Sequence, residues 1–171
     1  MRDAKRYLIT LAIYFGTRGL SFVLFEGAFL PYDWGLFEIR EPRKEAKCQR
    51  KVMQVLSRYE IDVLVLQDTG PEGTHRASRV TTLNAAVEAA ARQHGVPVFK
   101  YSRADVYSTF GSAGFSNKQT LAEVIAKHIP AFERHVPPPR KPWKSEDARM
   151  GLFDAAALAL VFFQKAGTEQ R

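Results

Sequence analysis

Apolar positions recur along the chain in two rhythms, and each rhythm predicts an element. Residues Tyr7–Phe15 read YLITLAIYF, almost unbroken apolar and rich in β-branched side chains, which predicts a buried strand. Leu20–Glu26 (LSFVLFE) and Trp34–Ile39 predict two more strands. The first connection is Gly16-Thr17-Arg18-Gly19, and turn residues fill 27–33. Such short connections predict an antiparallel meander. Asp62–Gln67 (DVLVLQ) is apolar without alternation, as in a central parallel strand covered on both sides. Val96–Tyr101 predicts a fifth strand.

Helical spacing governs the rest. A helix is predicted over Arg43–Tyr59, with Pro42 at its start. Its Lys44, Lys47 and Lys51 follow three- and four-residue steps and read as a solvated basic face. Ser78 is placed to cap a second helix to about His94, ended by Gly95. Shorter helices are predicted over Ser102–Phe110 and Asn117–Ile129, the latter stopped by Pro130. Residues 130–144 are proline-rich and read as irregular. A last helix is predicted from Ser145 to Lys165; its middle, DAAALALVFF, is apolar nearly all round and suits packing on a sheet. The order predicts one α/β domain over residues 1–171, with a core at about 7–165: a mixed sheet flanked by helices.

Composition narrows the function classes. With 46% hydrophobic and 25% charged residues over 171 positions, the chain has the makings of a folded core. A lone Cys48 excludes an internal disulfide framework and a cysteine-built zinc cluster, and His75, His94, His128 and His135 follow no ligand spacing. The net charge of +7 favours an anionic partner, DNA or RNA. A structural or oligomerising protein with incidental basic charge is the reading against it. Neither Leu8–Phe15 nor Ala155–Phe163 is long enough to span a bilayer, and Met1-Arg2-Asp3 opens on charge, so a cytoplasmic protein with no membrane partner is expected.

Several side chains stand out against this background. Arg18 lies in the first glycine turn. Arg76 and Arg79 follow the fourth strand and Arg103 the fifth, at the sheet end where ligands of parallel sheets bind. Arg140-Lys141-Pro142-Trp143-Lys144 mixes charge, proline and an aromatic, a combination suited to tracking a nucleic-acid backbone or stacking a base. Packing of Trp143 over the last helix is the competing reading. Asp154 interrupts the apolar last helix, so its carboxylate requires a partner, with Arg18, Lys144 and Arg149 the available countercharges. Asp147 reads first as an acid at a helix start.

Four segments in this order, LAIYFGTRG, DVLVLQDT, VPVFKYSRADV and SEDARMGLFDAAALAL, resemble the RuvC-type Holliday-junction resolvases. The resemblance runs from Leu8 to Phe163. It implies a ribonuclease H-like fold with a five-stranded sheet in the order 3-2-1-4-5, in which strands four and five run parallel to the first. It also implies a homodimeric, metal-dependent endonuclease acting on branched DNA. The family's acidic positions fall on Tyr14, Gln67, Gly151 and Asp154, so only one of the four is filled by an acid. The expectation is a RuvC-like protein that binds branched or structured DNA, with nuclease chemistry lost or much reduced, no metal or other cofactor, and a partner protein supplying any activity. The alternative is an active endonuclease using Asp154 with Asp147 and Asp68, and Mg²⁺ or Mn²⁺.

Overall fold

The computed structural model describes residues 8–16, 19–38, 44–71, 73–111, 117–144 and 146–169. Arg18, the start of the first predicted strand at Tyr7 and the predicted helix start at Ser145 lie outside them. Five strands form one sheet: β1 (Ile9–Phe15), β2 (Gly19–Glu26), β3 (Pro31–Glu38), β4 (Val63–Gln67) and β5 (Val98–Tyr101). Their spatial order is β3-β2-β1-β4-β5. β1–β2 and β2–β3 pair antiparallel, while β1–β4 and β4–β5 pair parallel. This is the expected topology.

Side-chain alternation divides the sheet into two packed faces. Leu11, Ile13 and Phe15 of β1, with Leu64 and Leu66 of β4, join Val52, Leu56, Val80 and Val87 of helices α1 (Lys44–Arg58) and α2 (Ser78–Gln93). Ala12 and Tyr14, with Val63 and Val65, face the other way, onto α3 (Arg103–Phe110), α4 (Lys118–His128) and α5 (Met150–Glu169). α5 lies across β1, β2 and β4 and buries Leu152, Phe153, Ala156 and Leu160. Each fully buried Leu or Phe contributes ~2 kcal/mol of transfer free energy, so this helix is held by the sheet rather than by its own propensity. Among the described residues, no helix is long and apolar enough to cross a membrane.

Several boundaries differ from the pattern-based expectation. β3 begins at Pro31 rather than Trp34, because the hairpin closes early: Glu26 N–H donates to Leu30 O, with Gly27 and Phe29 in left-handed conformations (φ 86° and 62°). Ser78 is not a cap; the N-cap position is Ala77, whose side chain has no acceptor. Ser102 and Asn117 do cap α3 and α4, each through a capping box. Pro130–His135, expected to be irregular, forms a 3₁₀ helix, whose first turn tolerates a leading proline. α5 begins at Met150 rather than 145, because Asp147 turns the chain there by accepting from Arg149 N–H at 2.9 Å.

Candidate functional site

The site lies at the carboxyl ends of β1 and β4, on the face covered by α5. Tyr14 and Gln67 both point to that face, because each follows the α5-facing members of its strand by two residues. α5 presents Asp154 to the same place, and a cleft of about 100 Å³ is lined by Tyr14, Ser21, Glu146, Asp147, Gly151 and Asp154. Tyr14, Gln67 and Asp154 also line one adjoining pocket, so the three side chains converge here.

Two cations accompany them. Asp68 follows β4 in a side-chain turn, its carboxylate accepting from Gly70 N–H at 2.9 Å. Its carbonyl accepts from Thr74 N–H at 2.7 Å. At Gly73 any Cβ would stand 2.4 Å from that carbonyl, so this close turn requires glycine. The loop doubles back and carries Arg76 over the strand ends. Arg76 Nη1 donates to Gln67 Oε1 at 2.6 Å, and Nη2 donates to Phe15 O at 2.7 Å. Its guanidinium also lies 5.0 Å from the Tyr14 ring centroid.

Lys118, at the first turn of α4, approaches from the other side. Its ammonium donates to Asp154 Oδ2 at 3.2 Å and pairs with Glu146 Oε1 at 3.1 Å. It stands 5.5 Å from the Tyr14 ring. Lys118 is the partner that Asp154 requires; of the countercharges expected for it, Arg149 is bound instead to Asp147 at 2.8 Å. Sequence reasoning missed Lys118 because it lies 36 positions from Asp154. The available signal was only a lysine after the Asn117 cap.

The electrostatics follow from burial. With its side chain only 12% exposed, Asp154 is pushed up to about 6 by desolvation, against the opposing pull of Lys118. Burial acts to lower the Lys118 pKa, but the charges of Asp154 and Glu146 outweigh it and hold the ammonium charged. The Tyr14 phenol is raised by burial and then by Asp154, so it is neutral near pH 7.

The other expected site residues are spread more widely. Asp147 accepts from the Arg149 backbone and guanidinium, the helix-start role first read for it, while also lining the cleft. Asp68 is committed to its turn. Arg76, expected as a surface cation, turns inward. Arg79 is half-buried and Arg103 exposed. Arg140, Lys141 and Lys144 are exposed, and Trp143 stands clear of α5 at 77% exposure. Lys51 leaves its expected solvated face to lie 4.0 Å over the Phe37 ring.

The donor set does not fit the paired divalent cations of a ribonuclease H-like nuclease. Such ions require several converging carboxylate oxygens. Here Tyr14 offers a neutral phenol, the Gln67 oxygen is bound by Arg76, Gly151 has no donor, Asp154 and Glu146 are paired with Lys118, and Asp147 is paired with Arg149. A Cβ at Gly151 would meet Ser21 Oγ at 2.4 Å, so an acid there would also force the Ser21 hydroxyl out of its place. Among the described residues, no group of three or more His, Cys, Asp or Glu could hold a metal ion.

No protein-family model and no curated protein sequence matches this chain. Solved structures do. Thermus thermophilus RuvC in complex with a Holliday junction substrate superposes with a TM-score of 0.67 at 19% identity, covering 95% of this chain and 98% of that one. The yeast mitochondrial Holliday junction resolvase Ydc2 gives 0.59 at 14% identity, covering 95% and 80%. The fowlpox virus resolvase in complex with Holliday junction DNA gives 0.57 at 12%, covering 92% and 99%. The chain thus has the ribonuclease H-like fold of the Holliday junction resolvases.

Proposed function

We propose that this protein recognises branched or structured DNA through the β1–β4 end of its sheet, and that its metal-dependent nuclease chemistry is lost or much reduced. One observation carries the second part: protein cations stand where the fold's nucleases gather carboxylates around metal. Arg76 binds Gln67, and Lys118 binds Asp154. A divalent ion entering here meets two fixed positive charges, with Asp154 and Glu146 both held by the Lys118 ammonium and Asp147 held by Arg149. The first part is supported by the basic charge of +7 and by neighbours solved with Holliday junction DNA. A homodimer acting in the cytoplasm, with a partner protein supplying any strand cleavage, completes the reading; two-fold assembly suits a branched substrate with two like faces.

The test is a binding titration of four-way, forked and linear DNA and of structured RNA, with and without Mg²⁺ or Mn²⁺. Cleavage is scored on gels and oligomeric mass by light scattering. The expected result is tighter binding to the branched DNA forms, little change with metal, and intact strands. Metal-dependent cleavage abolished by Asp154→Ala would instead establish the active endonuclease using Asp154, Asp147 and Asp68. No binding to any nucleic acid at low salt would remove the DNA reading.

A further inference from the structure

We infer that Trp143 is a stacking site for an unpaired DNA base, held out from the protein on a proline-braced turn beside the candidate site. The inference rests on the DNA-binding reading above and names the feature of the substrate that this surface selects.

Trp143 is the most exposed large hydrophobic side chain among the described residues, at 77%, against 57% for Leu30. Its exposure is built into the backbone. Lys144 N–H donates to Lys141 O at 3.0 Å, closing a four-residue turn with Pro142 in its second position and Trp143 in its third. Proline there fixes φ near the value the turn needs, so the turn loses little entropy on ordering. The foot of the segment is equally fixed: Pro137 is buried, and its carbonyl accepts from Gln119 Nε2 of α4 at 2.8 Å. The indole is therefore presented by an anchored strap rather than a slack loop. Tryptophan is ordinarily well buried, because its ring is the largest apolar surface a side chain carries.

The surroundings specify the ligand. Lys141 Nζ lies 5.6 Å from the indole centroid, and Arg140 and Lys144 are exposed on either side. An aromatic face among cations matches a nucleotide: the ring takes the base and the cations take its phosphates. A cleft of about 550 Å³, lined by Lys118, Pro138, Arg140, Glu146 and Asp147, leads from the foot of this strap to the Lys118–Asp154 pair. A base inside a duplex exposes only its edges, since its faces are covered by neighbouring pairs. A freestanding indole can stack only where a base face is uncovered: at a duplex end, a fork, a junction centre or a single strand.

The chain has two tryptophans, and the other, Trp34, packs edge-on against Phe132. Trp34→Phe therefore leaves Trp143 as the sole indole emitter. Emission of this variant should be quenched by a dT oligomer and by a four-way junction with hairpin-closed arms, but little by a duplex closed by hairpins at both ends at equal saturation. In the otherwise wild-type chain, Trp143→Ala should weaken binding to the oligomer and junction by roughly 5- to 150-fold, the range of one base–aromatic stack. Its duplex affinity and melting temperature should hold, and Trp143→Phe should restore most of the loss. Unchanged emission with DNA bound, or an equal loss for all three DNAs, would overturn the stacking site while leaving the DNA-binding reading intact. Failure of the wild-type chain to bind any of them at low salt would overturn both.

Discussion

The guanidinium of Arg76 donates to the side-chain oxygen of Gln67 over 2.6 Å, so that a cation of the chain itself occupies the end of β4. The second bond of Arg76, to Phe15 O, satisfies the last carbonyl of β1. Arg76 is thus part of the fold. Arg76→Ala leaves both oxygens without their donor and should cost ~1–3 kcal/mol of stability, measured by urea unfolding. The salt dependence of DNA binding should stay as in the wild type.

The exposed strap should behave in the opposite way. Replacing Arg140, Lys141 and Lys144 together with alanine removes exposed cations. Every phosphate left without its cation should flatten the slope of log affinity against log salt by ~0.9, up to ~3 for the set, with the melting temperature unchanged. Anisotropy titrations at several salt concentrations read this directly. An unchanged slope would remove the strap from the DNA surface.

Metal affinity should not return by restoring acids alone. Tyr14→Asp with Gln67→Glu places two new carboxylates near Asp154, but Arg76 and Lys118 already stand among them. Calorimetry should detect no Mn²⁺ binding at millimolar metal until Arg76→Ala is added to the pair. Tight binding by the double variant would show that the protein cations are not what excludes the ion.

The Asp154–Lys118 pair fixes a pH dependence. Asp154 titrates at about 6 in the folded protein and at ~3.9 when unfolded. Between these values the folded state holds a proton that the unfolded state has released. Stability from this group therefore falls as pH rises from ~4 to about 6 and is flat above that range. Lys118→Met removes a charge that lowers the Asp154 value, so the midpoint should climb above about 6. Stability at pH 8 should drop by ~1–3 kcal/mol, allowing for the partial exposure of the lysine. Carboxyl-carbon NMR and unfolding curves at pH 4.5 and 8 check both parts.

The close approach of α5 to β2 predicts a compensating pair. Gly151→Ala would place its methyl 2.4 Å from Ser21 Oγ and should destabilise the protein by ~1–3 kcal/mol. Adding Ser21→Ala removes that oxygen and leaves an ordinary 3.4 Å approach to the Ser21 Cβ position, so the double variant should recover most of the stability. Equal melting temperatures for the two alanine variants at position 151 would show that the Ser21 hydroxyl rotates away or the helix shifts at no cost.

The strands and the β1-β2-β3 meander were legible from short-range pattern, while the full order and the place of Asp154 in the site were what the resemblance to the resolvases implied. The unbroken apolar run of β4 marked it as central, and short connections tied β1 to β2 and β2 to β3. The β1–β4 register of the folded sheet is what puts Tyr14 and Gln67 on one face. The character of the site depended on tertiary structure, because charge pairing joins groups that sequence keeps apart. Lys118 meets Asp154 across 36 positions, and Arg76 reaches Phe15 O across 61, through a loop whose inward turn depends on Gly73 lying against Asp68. The same holds for Trp143: its composition suited stacking and core packing equally, and only the anchored Pro137 and the closed turn at Lys141–Lys144 left the indole in solvent. Local pattern selects an element and its buried face. Which cation stands beside which carboxylate is decided by the path of the whole chain.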